Sequence, residues 1–87
     1  MLRFRESVLN LSNFTALPLK KTTFIDCPMA EVDFTEADLS EARFDKCILT
    51  KTNFENSKLL RADFRTAIDY TINPTQTILK GALFSND

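Results

Sequence analysis

All eight phenylalanines of this chain fall on one comb of positions: Phe4, Phe14, Phe24, Phe34, Phe44, Phe54, Phe64 and Phe84. Halfway between them runs a second comb, Leu9, Leu19, Met29, Leu39, Leu49 and Leu59. Together they put a large apolar residue at every fifth position from 4 to 64. A step of five advances an α-helix by roughly 140°, which leaves no apolar stripe. In a strand the same step flips the side chain to the other face each time. A chain that turns through about a right angle every five residues keeps the comb on one side. Four such steps close a square, and the fifth starts a coil directly above the first.

The finer pattern agrees. Two residues before most large residues sits a small or modest one, as in Ser7, Ser12, Thr22, Cys27, Val32, Ala37, Ala42, Cys47, Thr52, Ser57, Ala62 and Ala67, with Leu2 and Leu17 bulkier. Residues two apart in an extended segment share a face. Each side of the square therefore sends one large and one small residue inward. The remaining positions are mostly polar, as in Asp33, Thr35, Glu36, Asp38, Ser40 and Glu41.

Ala37-Asp38-Leu39-Ser40-Glu41 and Ala62-Asp63-Phe64-Arg65-Thr66 closely resemble the motif of the pentapeptide-repeat family. Val32-Asp33-Phe34 and Thr52-Asn53-Phe54 differ from it in the first residue only. The resemblance runs from residue 2 to about residue 69. It implies an all-β fold, a right-handed quadrilateral parallel β-helix of about four coils, in a chain similar to uncharacterised bacterial members of the family. The expected organisation is one domain over 1–87, with regular repeats over 1–69 and an irregular last coil or C-terminal cap over 70–87.

With four pentapeptides per coil, residues twenty apart stack at about 4.8 Å. Phe4, Phe24, Phe44 and Phe64 form one ladder and Phe14, Phe34 and Phe54 the facing one; the leucine-type residues fill the sides between. Buried rings cannot serve as a platform for bases or sugars. The charges follow the same period: Asp26, Glu31, Glu36 and Glu41 lie under Lys46, Lys51, Asn56 and Arg61. Cross-coil pairs are expected for Asp26–Lys46, Glu31–Lys51, Glu41–Arg61, Asp45–Arg65, Arg43–Asp63 and Asp38–Lys58. Cys27 and Cys47 stack at a small inward position, close enough for a disulfide by distance. Two buried free thiols in place of alanine are the preferred reading.

The comb breaks after Ile68, where Asp69 and Pro74 occupy its positions, and resumes at Leu79 and Phe84. The stretch Asp69 to Pro74 resembles the closing segment of many family members, and reads as the final coil or as a cap that shields the last ladder. At the other end Leu2 and Phe4 already occupy repeat positions, so the first coil is expected to be open. Either the chain is the later part of a longer rod, or two copies meet there as a homodimer. One outward row is apolar, Val8, Pro28, Ile48 and Ile68. Such a patch suggests a contact, unless Ile72, Ile78 or Leu83 of the tail folds back over it.

Eighty-seven residues suit one domain, and the net charge of −1 with interleaved signs argues against nonspecific nucleic-acid binding. The start Met1-Leu2-Arg3-Phe4-Arg5 leads into no signal-peptide core, and no run approaches membrane-spanning length. Two cysteines without an expected bridge fit a reducing, cytoplasmic setting. No histidine is present, which removes Ser-His and Cys-His nucleophiles; a single glycine excludes phosphate loops. No catalytic residue, metal site or cofactor is expected, and the acid pairs Asp33/Asp38 and Glu36/Glu41 read as solvated surface. The expected role is a non-enzymatic scaffold or protein-interaction module, with Leu2, Phe4, Val8, Pro28, Ile48 and Ile68 as its contact residues. The alternative implied by the family resemblance is a DNA mimic that binds gyrase or topoisomerase. That reading needs a long acidic rod, which this charge balance does not provide.

Overall fold

The computed structural model describes residues 2–85. Five short strands, β1 (Arg3–Arg5), β2 (Thr23–Ile25), β3 (Arg43–Asp45), β4 (Asp63–Phe64) and β5 (Leu83–Phe84), form one sheet in the order β1-β2-β3-β4-β5. Every pairing is parallel, with Phe4 opposite Phe24, Phe24 opposite Phe44, and Phe64 opposite Phe84. Isolated bridges at the same twenty-residue offset mark the other three sides, among them Pro28↔Ile48, Asp33↔Asn53 and Asp38↔Lys58. Residues 3–22, 23–42 and 43–62 are thus successive coils, and 63–82 follow less regularly. The sides are numbered from the one that carries β1 to β5.

The interior is the one the five-residue comb predicts. Rings on the first side stack nearly parallel, with centroid separations of 5.1 Å for Phe4–Phe24 and Phe24–Phe44 and 4.8 Å for Phe44–Phe64. The facing ladder meets them edge-on. Phe24–Phe34, Phe34–Phe44 and Phe44–Phe54 lie 5.9 to 6.0 Å apart at 71°, 79° and 85°. Edge-to-face pairs add about 0.5–1.5 kcal/mol beyond the area they bury. Phe4, Leu9 and Phe14 of the first coil are only partly buried against this core.

Thirteen non-glycine residues have positive φ, twelve of them at every fifth position from Glu6 to Arg61. Each of these twelve lies two residues after a comb residue. At most of these corners the comb carbonyl accepts a hydrogen bond from the N–H three residues on, as in Ala42 to Leu39 at 2.9 Å. That is a type II turn, whose third residue must be left-handed. The conformation costs a non-glycine residue about 1–2 kcal/mol. It recurs because the same residue donates its N–H to the coil above: Leu11 to Ala30, Glu31 to Thr50 and Glu41 to Leu60, at 2.7 to 2.9 Å. Such a bond contributes about 0.5–1.5 kcal/mol net and would be unmade in another geometry.

Asx residues brace these turns. The side chains of Asn13, Asp33, Asp38, Asn53 and Asp63 each accept from the backbone N–H two residues on, at 2.8 to 3.0 Å. The sequence reading of Asp33 and Asp38 as solvated surface is corrected here: both are half-buried and fasten the corner that follows. The small inward position also has a bonding rule. Thr52 Oγ1 donates to the Met29 carbonyl at 2.7 Å, and Cys47 Sγ to the Phe24 carbonyl at 3.3 Å, each twenty-three residues back. Among the described residues, every buried side-chain nitrogen or oxygen has a partner.

The third side is interrupted in the last coil. Pro74 stands where a ring is due, and Tyr70 supplies one four residues early. Its ring centroid lies 5.6 Å from Phe64 and 5.7 Å from Phe84. Its hydroxyl bonds Ser85 Oγ at 3.1 Å. Residues 71–77 form no bridge, although Ile72 packs on the core and the Gln76 carbonyl accepts from Asn56 N–H, and the bridged wall resumes at Ile78, which pairs with Lys58. Gly81 restores the left-handed corner at φ 75°. The cap expected over 70–87 is thus described as far as Ser85.

Candidate interaction surface

The second side of the square is built from the residues that precede and follow Leu9, Met29 and Leu49. Pro28, Ile48 and Ile68 are bridged in register. Leu9 N–H donates to the Pro28 carbonyl at 2.9 Å, which places Val8 below Pro28. The parallel ladder therefore gathers four candidate contact residues into one row. Val8 is 72% exposed, Ile48 44% and Ile68 54%, with Pro28 half-buried. The tail does not cover them. Ile78 belongs to the fourth side through its bridge to Lys58, Leu83 to the first through Asp63, and Ile72 packs against the core.

The other two candidates are separate from this row. Leu2 is exposed, and its carbonyl accepts from Thr23 N–H at 3.0 Å on the first side. Phe4 is half-buried and ends the ring ladder against Phe24. Neither shares a side with Ile48.

The charges pair differently from the expectation. Of the six cross-coil pairs, only Glu41–Arg61 comes within ion-pair distance, at 3.3 Å. Arg43 binds Asp45 at 3.1 Å and Arg65 binds Asp63 at 2.9 Å, both within one strand or its edge. The cause is visible at Asp63. Its Oδ1 already accepts from Arg65 N–H, so the carboxylate is turned toward the guanidinium of the same residue, which grips it through Nε and a terminal nitrogen. Hydrogen bonds from the Arg65 side chain hold the Asp63 carboxyl below its ordinary range. Asp33 is lowered by the Thr35 hydroxyl and N–H. At Asp38 burial pushes upward, but the Ser40 hydrogen bonds together with the Lys58 and Lys20 charges outweigh it and the net direction is down. Asp26, Glu31, Lys46 and Lys51, which stand exposed at the two corners of the second side, make no ion pair among the described residues. The sequence reading placed them on the surface but paired them with each other, Asp26 with Lys46 and Glu31 with Lys51, and those two pairs do not form.

Cys27 and Cys47 are free and buried. Burial pushes the Cys47 thiol up to about 12. A polar cleft of about 500 Å³ opens where the loop leaves the third side, between Lys51, Asn53 and Glu55 below and Thr71 and Gln76 above. It holds no cluster of acids and thiols, and among the described residues no group of three or more His, Cys, Asp or Glu converges anywhere. Among the described residues, no helix is long and apolar enough to cross a membrane.

Comparison with known proteins agrees with this architecture. The model of the pentapeptide repeat region matches residues 2–71. No curated protein matches the sequence. Among solved structures, a pentapeptide repeat protein from the thylakoid lumen of Arabidopsis thaliana superimposes with a TM-score of 0.50 at 19% identity. The alignment covers 87% of this chain and 60% of that one. At that identity the likeness concerns the fold alone. The five-residue comb, the square cross-section and the match over residues 2–71 lead to one conclusion: the chain belongs to the pentapeptide-repeat family.

Proposed function

We infer that this protein is a non-enzymatic scaffold whose second side binds a protein partner. The observation that carries this reading is the bare row of Val8, Ile48 and Ile68 on a rigid, flat wall. Apolar side chains aligned at strand spacing expose a continuous strip, and such strips on repeat proteins mark contact surfaces. Buried thiols with no bridge fit a reducing compartment such as the cytoplasm. Mimicry of a DNA duplex toward a topoisomerase finds less support, because eleven basic residues are interleaved with twelve acidic ones. A photo-crosslinking amino acid at position 48 should capture a protein, and one at position 55 on the third side should not. The substitution Ile48→Glu should abolish partner retention in a pull-down. Undiminished retention by that variant would overturn the reading.

A further inference from the structure

We propose that the partner of the second side is another copy of this chain, docked side to side with the two stacks running antiparallel. This rests on the reading of the apolar row as a docking surface and names its occupant. The argument is the charge layout around the row. One corner of this side carries Asp26 directly below Lys46, and the other carries Glu31 directly below Lys51. All four are exposed and make no ion pair among the described residues. The second coil thus presents acids and the third coil bases on both flanks of one apolar strip.

A two-fold axis that lies in the interface, crosses the row between Pro28 and Ile48 and runs perpendicular to the stacking direction satisfies every one of these groups. Pro28 meets Ile48 of the second copy, and Val8 meets Ile68. Asp26 then faces Lys46, and Glu31 faces Lys51, each pair occurring twice by symmetry. The alternatives are repulsive. With the axis along the stack, Asp26 faces Glu31 and Lys46 faces Lys51. A slip of one coil in the antiparallel arrangement brings Lys46 onto Lys46 and Lys51 onto Lys51 in one direction; in the other it brings Asp26 onto Asp26 and Glu31 onto Glu31, offset in part by Glu6 meeting Lys46. The charges therefore favour this orientation and register, the one in which no like charges of the second and third coils meet.

The molecule measures 30 × 29 × 25 Å, so one side offers on the order of 600 Å² per copy, less than the roughly 800 Å² of a standard interface. The dimer is accordingly weak, with a dissociation constant on the order of 10–1000 µM. It is also sensitive to salt, because the flanking pairs lie at the solvent rim.

Sedimentation equilibrium from about 10 µM to about 1 mM, in about 50 mM and about 500 mM NaCl, reads this directly. The wild-type protein should pass from monomer to dimer mass, with association at least about tenfold weaker at the higher salt. The double variant Lys46→Glu/Lys51→Glu and the double variant Asp26→Lys/Glu31→Lys should each stay monomeric, with circular dichroism unchanged because all four sites are exposed. An equimolar mixture of the two should regain dimer mass, since each negative corner now meets a positive one. A wild-type chain that stays monomeric throughout overturns the inference. So does a dimer indifferent to both charge variants, which would place the contact elsewhere, including the open first coil. If crosslinking at position 48 captures a different protein while the chain stays monomeric, the docking surface stands and self-recognition fails.

Discussion

The wall from Thr22 to Ala67 and the closing segment from Ile68 to Ser85 solve the same problem in different ways. In the wall, Phe44 has a ring below it, a ring above it and two rings edge-on across the square. Phe44 is fully buried in such a site. In the closing segment Tyr70 reaches the interior from a different sequence position, contacts Phe64 and Phe84, and keeps its hydroxyl at the surface on Ser85. The wall is held by repetition, so any one coil explains the next. The closing segment keeps Leu79 and Phe84 on the comb, but its missing ring is replaced by Tyr70, a side chain that has no counterpart elsewhere in the chain. Stacked units contribute by nearest-neighbour contacts, and the end of a stack must therefore be finished by something the repeat does not contain.

This difference can be broken by substitution. Phe44→Ala should have the largest effect, a loss of about 3–5 kcal/mol in urea unfolding, because the cavity is walled by rigid rings on four sides. Tyr70→Ala should cost about 2 kcal/mol, since the ring is only half-buried. Its hydrogen-exchange signature should be confined to residues 68–85. Equal losses for the two variants, or exchange spreading down the wall from Tyr70, would show that the ends and the wall form one cooperative unit.

A smaller effect tests the turn braces. Asp33→Ala removes the bond to Thr35 N–H and should cost about 1 kcal/mol. Asp33→Asn should fall within about 0.5 kcal/mol of wild type, because Asn13, Asn53 and Asn73 already make the same bond. A large loss for the asparagine variant would assign the role to charge rather than geometry.

The smallest effect is with pH. Asp33, Asp38 and Asp63 have carboxyl groups held below their ordinary value in the folded chain. A lowered folded value means the unfolded chain takes up protons first as pH falls. The contribution is complete above the ordinary carboxylate range, near pH 4, and is lost as pH falls through the folded values. Stability by thermal unfolding should thus be level from pH 7 to about pH 5 and decline below about pH 4. A decline that starts above pH 6 would point to other groups.

Much of this was legible in the residues. The comb of phenylalanines needs only the period to specify a square, and Phe24, Phe34, Phe44 and Phe54 lie where that square puts them. The corners were hidden, because left-handed residues usually announce themselves as glycine and here they are Glu36, Glu41 and Lys51. Asp33 and Asp38 looked like surface because a carboxylate two residues from its donor leaves no trace in composition. The ion pairs of Arg43 and Arg65 were misplaced because twenty-residue stacking was weighed against nothing nearer, while Asp45 and Asp63 lie two residues away. The apolar row was readable as a row, but whether the tail covered it depended on where Tyr70 anchors the loop. No periodic argument reaches that.

The thiol of Cys47 has a practical consequence. With burial pushing its thiol up to about 12, the sulfur stays protonated, and so unreactive, at neutral pH in the closed state. The sulfur is also shielded on every side. Alkylating reagents can reach it only when adjoining layers part, so the speed of labelling becomes a clock for how often the stack comes undone in its middle. A protein with neither tryptophan nor histidine thereby carries its own built-in reporter of breathing.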